Sequence, residues 1–373
     1  MQTPATILFL TLFASHSYAA IYLATYQGEL LTIDDATYNI SNHTKLKTGI
    51  AREMLLMPDK KHMLVMTNRY SGMEIVDLEK NQIVDSWDMD TANTRIRPTS
   101  MAIDPSGRYV YTMTAKYTKQ IDRWEIGEDK LAVIDLTTHQ IVREELFPKD
   151  KKPDSFGMSF RVSPDGKSLY LFGSSVLIFD TATLKLSKEI DLEKPIYPGM
   201  SRVNFVPEID PHDSPDKVTA LFQTEDPYVH RRIFGIAQFN LNTRDFTFDP
   251  IGTTVPGKSE EGGMSNVRLS PDRKLGYAVA SFGEHGDKSC QFWSFDIPAK
   301  TLKSRQDFPC NSRFYFSSSY DGKDLLIFGA GFEIGVYDAA TLHFKKMINL
   351  GYDVTMAGMI ILPPQTAQLA ARR

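Results

Sequence analysis

The chain has 373 residues, of which 42% are hydrophobic and 24% charged, and its formal net charge is −4. This is long enough for a large core, and the composition is that of an ordinary globular protein. The small negative charge leaves no basic footprint for nucleic acid. The only two cysteines, Cys290 and Cys310, have neither CxxC spacing nor a histidine cluster, which argues against a thiolate metal site.

In chain order, the first predicted element is an export signal. The apolar run 7–13 is too short to span a bilayer and leads into Ser17-Tyr18-Ala19, a small-x-small cleavage pattern. Residues 1–19 are therefore read as a signal peptide, 20–364 as one folded domain and 365–373 as a tail. The protein is expected in the periplasm or outside the cell, without membrane insertion. In that oxidising compartment an even cysteine count predicts a Cys290–Cys310 disulfide.

From residue 20 onward one unit recurs seven times: Leu31-Thr32-Ile33-Asp34, Glu74-Ile75-Val76-Asp77, Ala132-Val133-Ile134-Asp135, Leu177-Ile178-Phe179-Asp180, Ala237-Gln238-Phe239-Asn240, Trp293-Ser294-Phe295-Asp296 and Gly335-Val336-Tyr337-Asp338. A β-branched or aromatic run suits a strand, and the closing Asp or Asn starts a tight turn into a second strand. A hairpin precedes most copies, as in Val162-Ser163-Pro164-Asp165-Gly166-Lys167 and Ile103-Asp104-Pro105-Ser106-Gly107-Arg108. Proline presets φ there, and glycine takes the left-handed position. Four strands per unit, a to d, at a spacing of roughly 42 to 60 residues make a propeller blade.

The predicted fold is all-β, a seven-bladed β-propeller of four-stranded antiparallel blades. The first unit lacks an inner strand, whereas Thr355-Met356-Ala357-Gly358-Met359-Ile360 near the end has no unit of its own. The C-terminal strand is therefore expected to complete blade 1, removing open sheet edges.

Hairpins of the SPDGKSLYLF kind followed by a VxxFDxxT run resemble the broad group of YVTN-type propellers. Pro98-Thr99-Ser100-Met101-Ala102-Ile103-Asp104-Pro105, the insert through Asp122-Arg123-Trp124-Glu125, and Lys130-Leu131-Ala132-Val133-Ile134-Asp135 resemble more narrowly the β subunit of quinohemoprotein amine dehydrogenase. Tyr337-Asp338-Ala339-Ala340-Thr341-Leu342 and the closing Met356-Ala357-Gly358-Met359 fit that resemblance too. It implies a non-catalytic propeller subunit without a cofactor of its own. Haem c and a tryptophan-derived quinone would sit on partner subunits. The absence of a CxxCH motif agrees with that role, and no catalytic residue can be transferred.

Loop lengths separate two faces of the expected ring. The a–b and c–d turns are short, apart from 208–217, whereas long connections open on the b–c and d–a side: 116–129, 225–232, 281–289, 90–98, 148–156 and 252–263. Loops extended on one face of a rigid scaffold usually carry binding. Arg95, Arg97, Arg123, Trp124, Glu125, Tyr228, His230, Arg231, Arg232, Glu284 and His285 gather there, the residue types that anchor protein partners.

Known catalytic motifs are lacking: there is no GxSxG, no HExxH, no phosphate loop and no EF-hand. Competing readings are a stand-alone lactonase-like propeller with a metal in the funnel and a ligand-binding or adhesion propeller. The expected starts of the inner strands (Arg52-Glu53, Thr99-Ser100, Phe156-Gly157, Arg202-Val203, Asn266, Arg313 and Thr355) are too basic and too poor in carboxylates for a hard cation.

Overall fold

The structure is a computed structural model that describes residues 19–67, 71–151, 158–205, 207–208, 212–229, 231–253, 265, 267–283, 289–309, 314–329 and 331–363. The predicted signal cleavage lies at the edge of these residues, and the tail 365–373 lies outside them.

The repeat folds for a local reason. Asp34 accepts hydrogen bonds from the Ala36 and Thr37 amides, Asp77 from Glu79 and Lys80, Asn240 from Asn242 and Thr243, and Asp338 from Ala340 and Thr341. Four residues after each Asp or Asn the backbone turns left-handed, at Tyr38, Asn81, His139, Leu184, Arg244, Lys300 and Leu342. None of the seven is a glycine. In the hairpin turns Gly107, Gly166 and Gly322 take φ of 75°, 72° and 71°, and Lys60 and Arg273 adopt the same sign of φ with a side chain in place.

The described residues form only strands and turns, in a propeller arrangement. β1 (Ala20–Thr25), β2 (Glu29–Asp34) and β3 (Ile40–Lys45) are followed by the four-stranded sheet of β4 (Glu53–Leu56), β5 (His62–Met66), β6 (Gly72–Asp77) and β7 (Gln82–Asp88). The third repeat contains β8 (Thr94–Ile103), β9 (Tyr109–Lys119), β10 (Trp124–Ile126), β11 (Lys130–Asp135) and β12 (Gln140–Leu146). The fourth contains β13 (Ser159–Val162), β14 (Ser168–Phe172), β15 (Ser175–Asp180) and β16 (Leu186–Asp191), and the fifth β17 (Lys217–Glu225), β18 (Arg232–Asn240) and β19 (Phe246–Thr253). The sixth contains β20 (Arg268–Leu269), β21 (Leu275–Phe282), β22 (Ser289–Asp296) and β23 (Thr301–Phe308). The last contains β24 (Tyr315–Ser318), β25 (Asp324–Phe328), β26 (Gly331–Asp338) and β27 (Phe344–Leu362).

Strand number departs from the expected four in three places. β10 adds a fifth strand to the third repeat. Among the described residues the fifth repeat has three strands, with an isolated Asn204–Gln223 bridge at the inner position. The strands of the first and last repeats form one seven-stranded sheet, β24-β25-β26-β27-β1-β2-β3. The first part of β27 pairs with β26, and its last part pairs with β1 in the register Ala20–Leu362 and Ile21–Ile361.

The core lies between sheets rather than within them. Tyr170 and Phe172 of the fourth repeat pack edge-on against Phe239 of the fifth, with ring centroids 5.5 Å apart in both pairs. All three rings are fully buried. Truncating any of them to alanine removes about 3–5 kcal/mol of stability.

Candidate functional site

The inner strands surround a central cavity of about 720 Å³. Its wall is largely apolar and rich in methionine, including Met57, Met101, Met158 and Met356. Glu53, at the start of β4, enters this wall. Burial pushes its carboxyl up to about 7, opposed by a hydrogen bond from the Met101 backbone amide.

Next to it, β8 bulges between Thr99 and Met101, and Ser100 turns left-handed with φ of 54°. Such backbone strain concentrates at functional sites. The Ser100 hydroxyl donates to the Met158 carbonyl at 2.9 Å, tying the third repeat to the fourth across the cavity rim. Gly358 repeats the left-handed turn in β27 with φ of 107°, and a Cβ there would stand 3.7 Å from the Tyr315 hydroxyl.

Two arginines in the wall are held by the segment that replaces the inner strand of the fifth repeat. Arg161 of β13 pairs with Asp213 at 3.4 Å. Arg268 of β20, buried, pairs with Glu208 and lies over the Tyr315 ring, 4.6 Å from its centroid. Arg273 adds a hydrogen bond to the His212 carbonyl at 2.6 Å. Beside the backbone pairing of Asn204 with Gln223, side chains from both neighbouring repeats thus hold this segment.

The residues expected on the b–c/d–a side separate into two groups. Arg95, Arg97, Arg123, Trp124 and Glu125 share one β-ribbon, because 90–98 and 116–129 are largely paired strand rather than open loop. β8 begins at Thr94 opposite Thr118, and β10 pairs back onto β9 through Trp124–Lys119. Arg95 lies over the Trp124 ring at 4.5 Å and Arg97 over Tyr117 at 5.2 Å. Arg123 contacts Asp122 at 3.2 Å, and Glu125 accepts a hydrogen bond from Gln120 at 3.0 Å.

The second group is the β17–β18 tip. Arg232 pairs with Glu225 at 2.8 Å, Arg231 lies in the tip, and Tyr228 is 88% exposed. His230, Glu284 and His285 lie outside the described residues. Cys290, in β22, is buried and is not a free thiol. Cys310, its expected partner, lies outside the described residues.

No family model and no curated protein matches the chain. Solved structures do match, and they are β-propellers. A periplasmic gluconolactonase of Pseudomonas aeruginosa is similar over 93% of this chain and 99% of its own, with 14% identity and a TM-score of 0.54. A putative 6-phosphogluconolactonase of Bacteroides uniformis is similar over 93% and 100%, with 15% identity and a TM-score of 0.54. Dihydro-heme d1 dehydrogenase NirN is similar over 92% and 75%, with 13% identity and a TM-score of 0.52. At these identities the likeness is one of fold.

Arg52 and Arg202, expected at the funnel mouth, are exposed and do not line the cavity; Arg161 and Arg268 do, farther along their strands. Their position inside the strand motif was the available signal. Each stands two residues before the serine of an SPD turn, where the repeat otherwise carries small or apolar residues such as Ala102 and Ser317.

Proposed function

We propose that this chain is a non-catalytic propeller that serves as a periplasmic binding scaffold, docking partner proteins through its b–c/d–a face. A difference between the two faces carries this reading. Among the described residues, exposed large hydrophobics away from the outer strands lie in or beside b–c and d–a connections, Tyr26, Ile121, Trp124, Ile196, Tyr228 and Phe332 among them. The a–b and c–d turns present Asp-capped polar residues instead. Aromatics and arginine on a rigid frame are the usual anchors of protein interfaces.

Seven four-stranded blades are proposed for the ring. The seven-stranded sheet counts as two blades, with the end of β27 as strand a of blade 1. Support comes from the hydrophobic clusters, each built from two consecutive repeats, including one that joins Leu326 and Val336 to Ile21 and Leu31. Cys290 and Cys310 are proposed to form a disulfide joining the sixth and seventh repeats.

The sequence resemblance supplies the partner class: subunits that carry haem c and a tryptophan-derived quinone. A lactonase-like reading asks for convergent carboxylates in the funnel. The described wall offers Glu53 and Glu208, and the latter is committed to Arg268.

The test is purification of the native, untagged protein from its periplasm, with a visible spectrum, mass spectrometry of co-purifying chains and a non-reduced peptide map. A haem spectrum, a small cross-linked quinone chain and a linked Cys290–Cys310 peptide are expected. A colourless monomer overturns the partner class, and two free thiols overturn the disulfide.

A further inference from the structure

The central cavity has a charge pattern of its own. Arg161 and Arg268 are matched by Asp213 and Glu208, and Lys60 stands exposed on the hairpin turn at one mouth. Glu53 faces the same space. Among the described residues no ion pair reaches it, and its one neighbour of note is the Met101 amide. The wall beside it is apolar, with Met57, Met158 and Met356.

A carboxyl in such a wall favours a ligand that brings a positive charge, because the cation offsets the penalty of ionising it out of water. Methionine side chains are unbranched and polarizable, so they adapt to an apolar body of irregular shape. The volume lies within the range of small-molecule sites. A bare hard cation would need about six to eight oxygens, which this wall does not supply.

We propose that the central channel binds a small organic ammonium, with its charged head on the Glu53 carboxylate and its apolar body against the methionine-lined wall. Ligand and proton compete for the same carboxylate, so affinity rises with pH as Glu53 ionises. Arg161, Arg268, Lys60 and the Tyr315 hydroxyl face the same channel and set its remaining polarity.

The experiment is calorimetric titration of the full chain with n-hexylammonium, 1-hexanol and hexanoate at pH 6 and pH 8. Hexylammonium is expected to bind, and about tenfold more tightly at pH 8, which follows from a carboxyl that titrates near 7. Glu53→Gln keeps the side-chain shape and is expected to weaken binding by about tenfold or more and to abolish the pH dependence. Ala357→Leu narrows the channel while keeping the Glu53 carboxyl, and is expected to weaken binding at both pH values. The proposal is overturned if hexylammonium binds no better than hexanol, if Glu53→Gln binds equally well, or if hexanoate is preferred. Any of these results leaves the docking proposal untouched, since that stands on co-purifying chains.

Discussion

At the scale of single residues, Asp35 marks where the first and last repeats meet. One carboxylate oxygen accepts the Tyr320 amide at 2.9 Å, and the other is buried without a partner. Burial, with Asp321, Asp324 and Asp34 nearby, pushes its carboxyl up to about 6. Lys323 pairs with Asp321 and Lys345 with Asp324, so the lysines there serve the neighbours. A folded-state value above the unfolded one means that the protonated form stabilises the fold. That stability is complete below about pH 4 and is lost as pH rises through about 6. Asp35→Asn is therefore expected to flatten the pH dependence of urea unfolding. It should add about 1–2 kcal/mol at pH 7.5 and change little at pH 4. Equal slopes in both proteins would remove Asp35 as the responsible group. Nothing in the sequence marks this residue, because Tyr320, whose amide it accepts, lies 285 positions away and meets it only through the sheet shared by the first and last repeats.

At the scale of elements, what the sequence made legible was whatever the chain decides locally. The Asp or Asn that closes each third strand forms its turn from residues within four positions, so all seven copies could be read directly. Two elements escaped for the opposite reason. Among the described residues the inner position of the fifth repeat holds only the Asn204–Gln223 bridge, and Arg161 and Arg268 reach its segment from flanking sheets, a tertiary arrangement without local signature. Segments 90–98 and 116–129 look like loops because charged and polar residues dominate them, with few apolar ones to mark a strand period. The pairing of β27 with β1 has an energetic role that can be measured. Ile361 is 4% exposed in the half of β27 that pairs with β1, whereas Met347 is 51% exposed in the half that pairs with β26. Ile361→Ala is expected to cost about 2–4 kcal/mol in chemical denaturation. Met347→Ala should stay within about 0.5 kcal/mol. Similar losses at both sites would mean that the junction with β1 adds nothing particular to the stability of the fold.

At the scale of the whole molecule, the two faces are built by the same repeat yet diverge in chemistry. Turns that must form tightly are constrained to Asp, Gly and short polar residues, so the a–b and c–d face has little freedom to carry apolar groups. The b–c and d–a connections are free of that demand, and there the chain exposes Trp124 and Tyr228 on separate rigid tips. Loop length in the sequence pointed to the side but not to the ribbon that holds Trp124 under Arg95. A double variant, Trp124→Ser with Tyr228→Ser, removes both rings at a folding cost of about 1 kcal/mol, mainly the exposed cation–π contact. It is expected to reduce retention of the proposed partner chains by about tenfold, since truncating an interface anchor removes roughly 1.4 kcal/mol or more of binding. Ala340→Arg adds a charge to the exposed Asp-capped turn of the last repeat and serves as the control for the other face. If Ala340→Arg releases the partner while the double variant retains it, docking belongs to the polar turns. The apolar tips would then need another occupant.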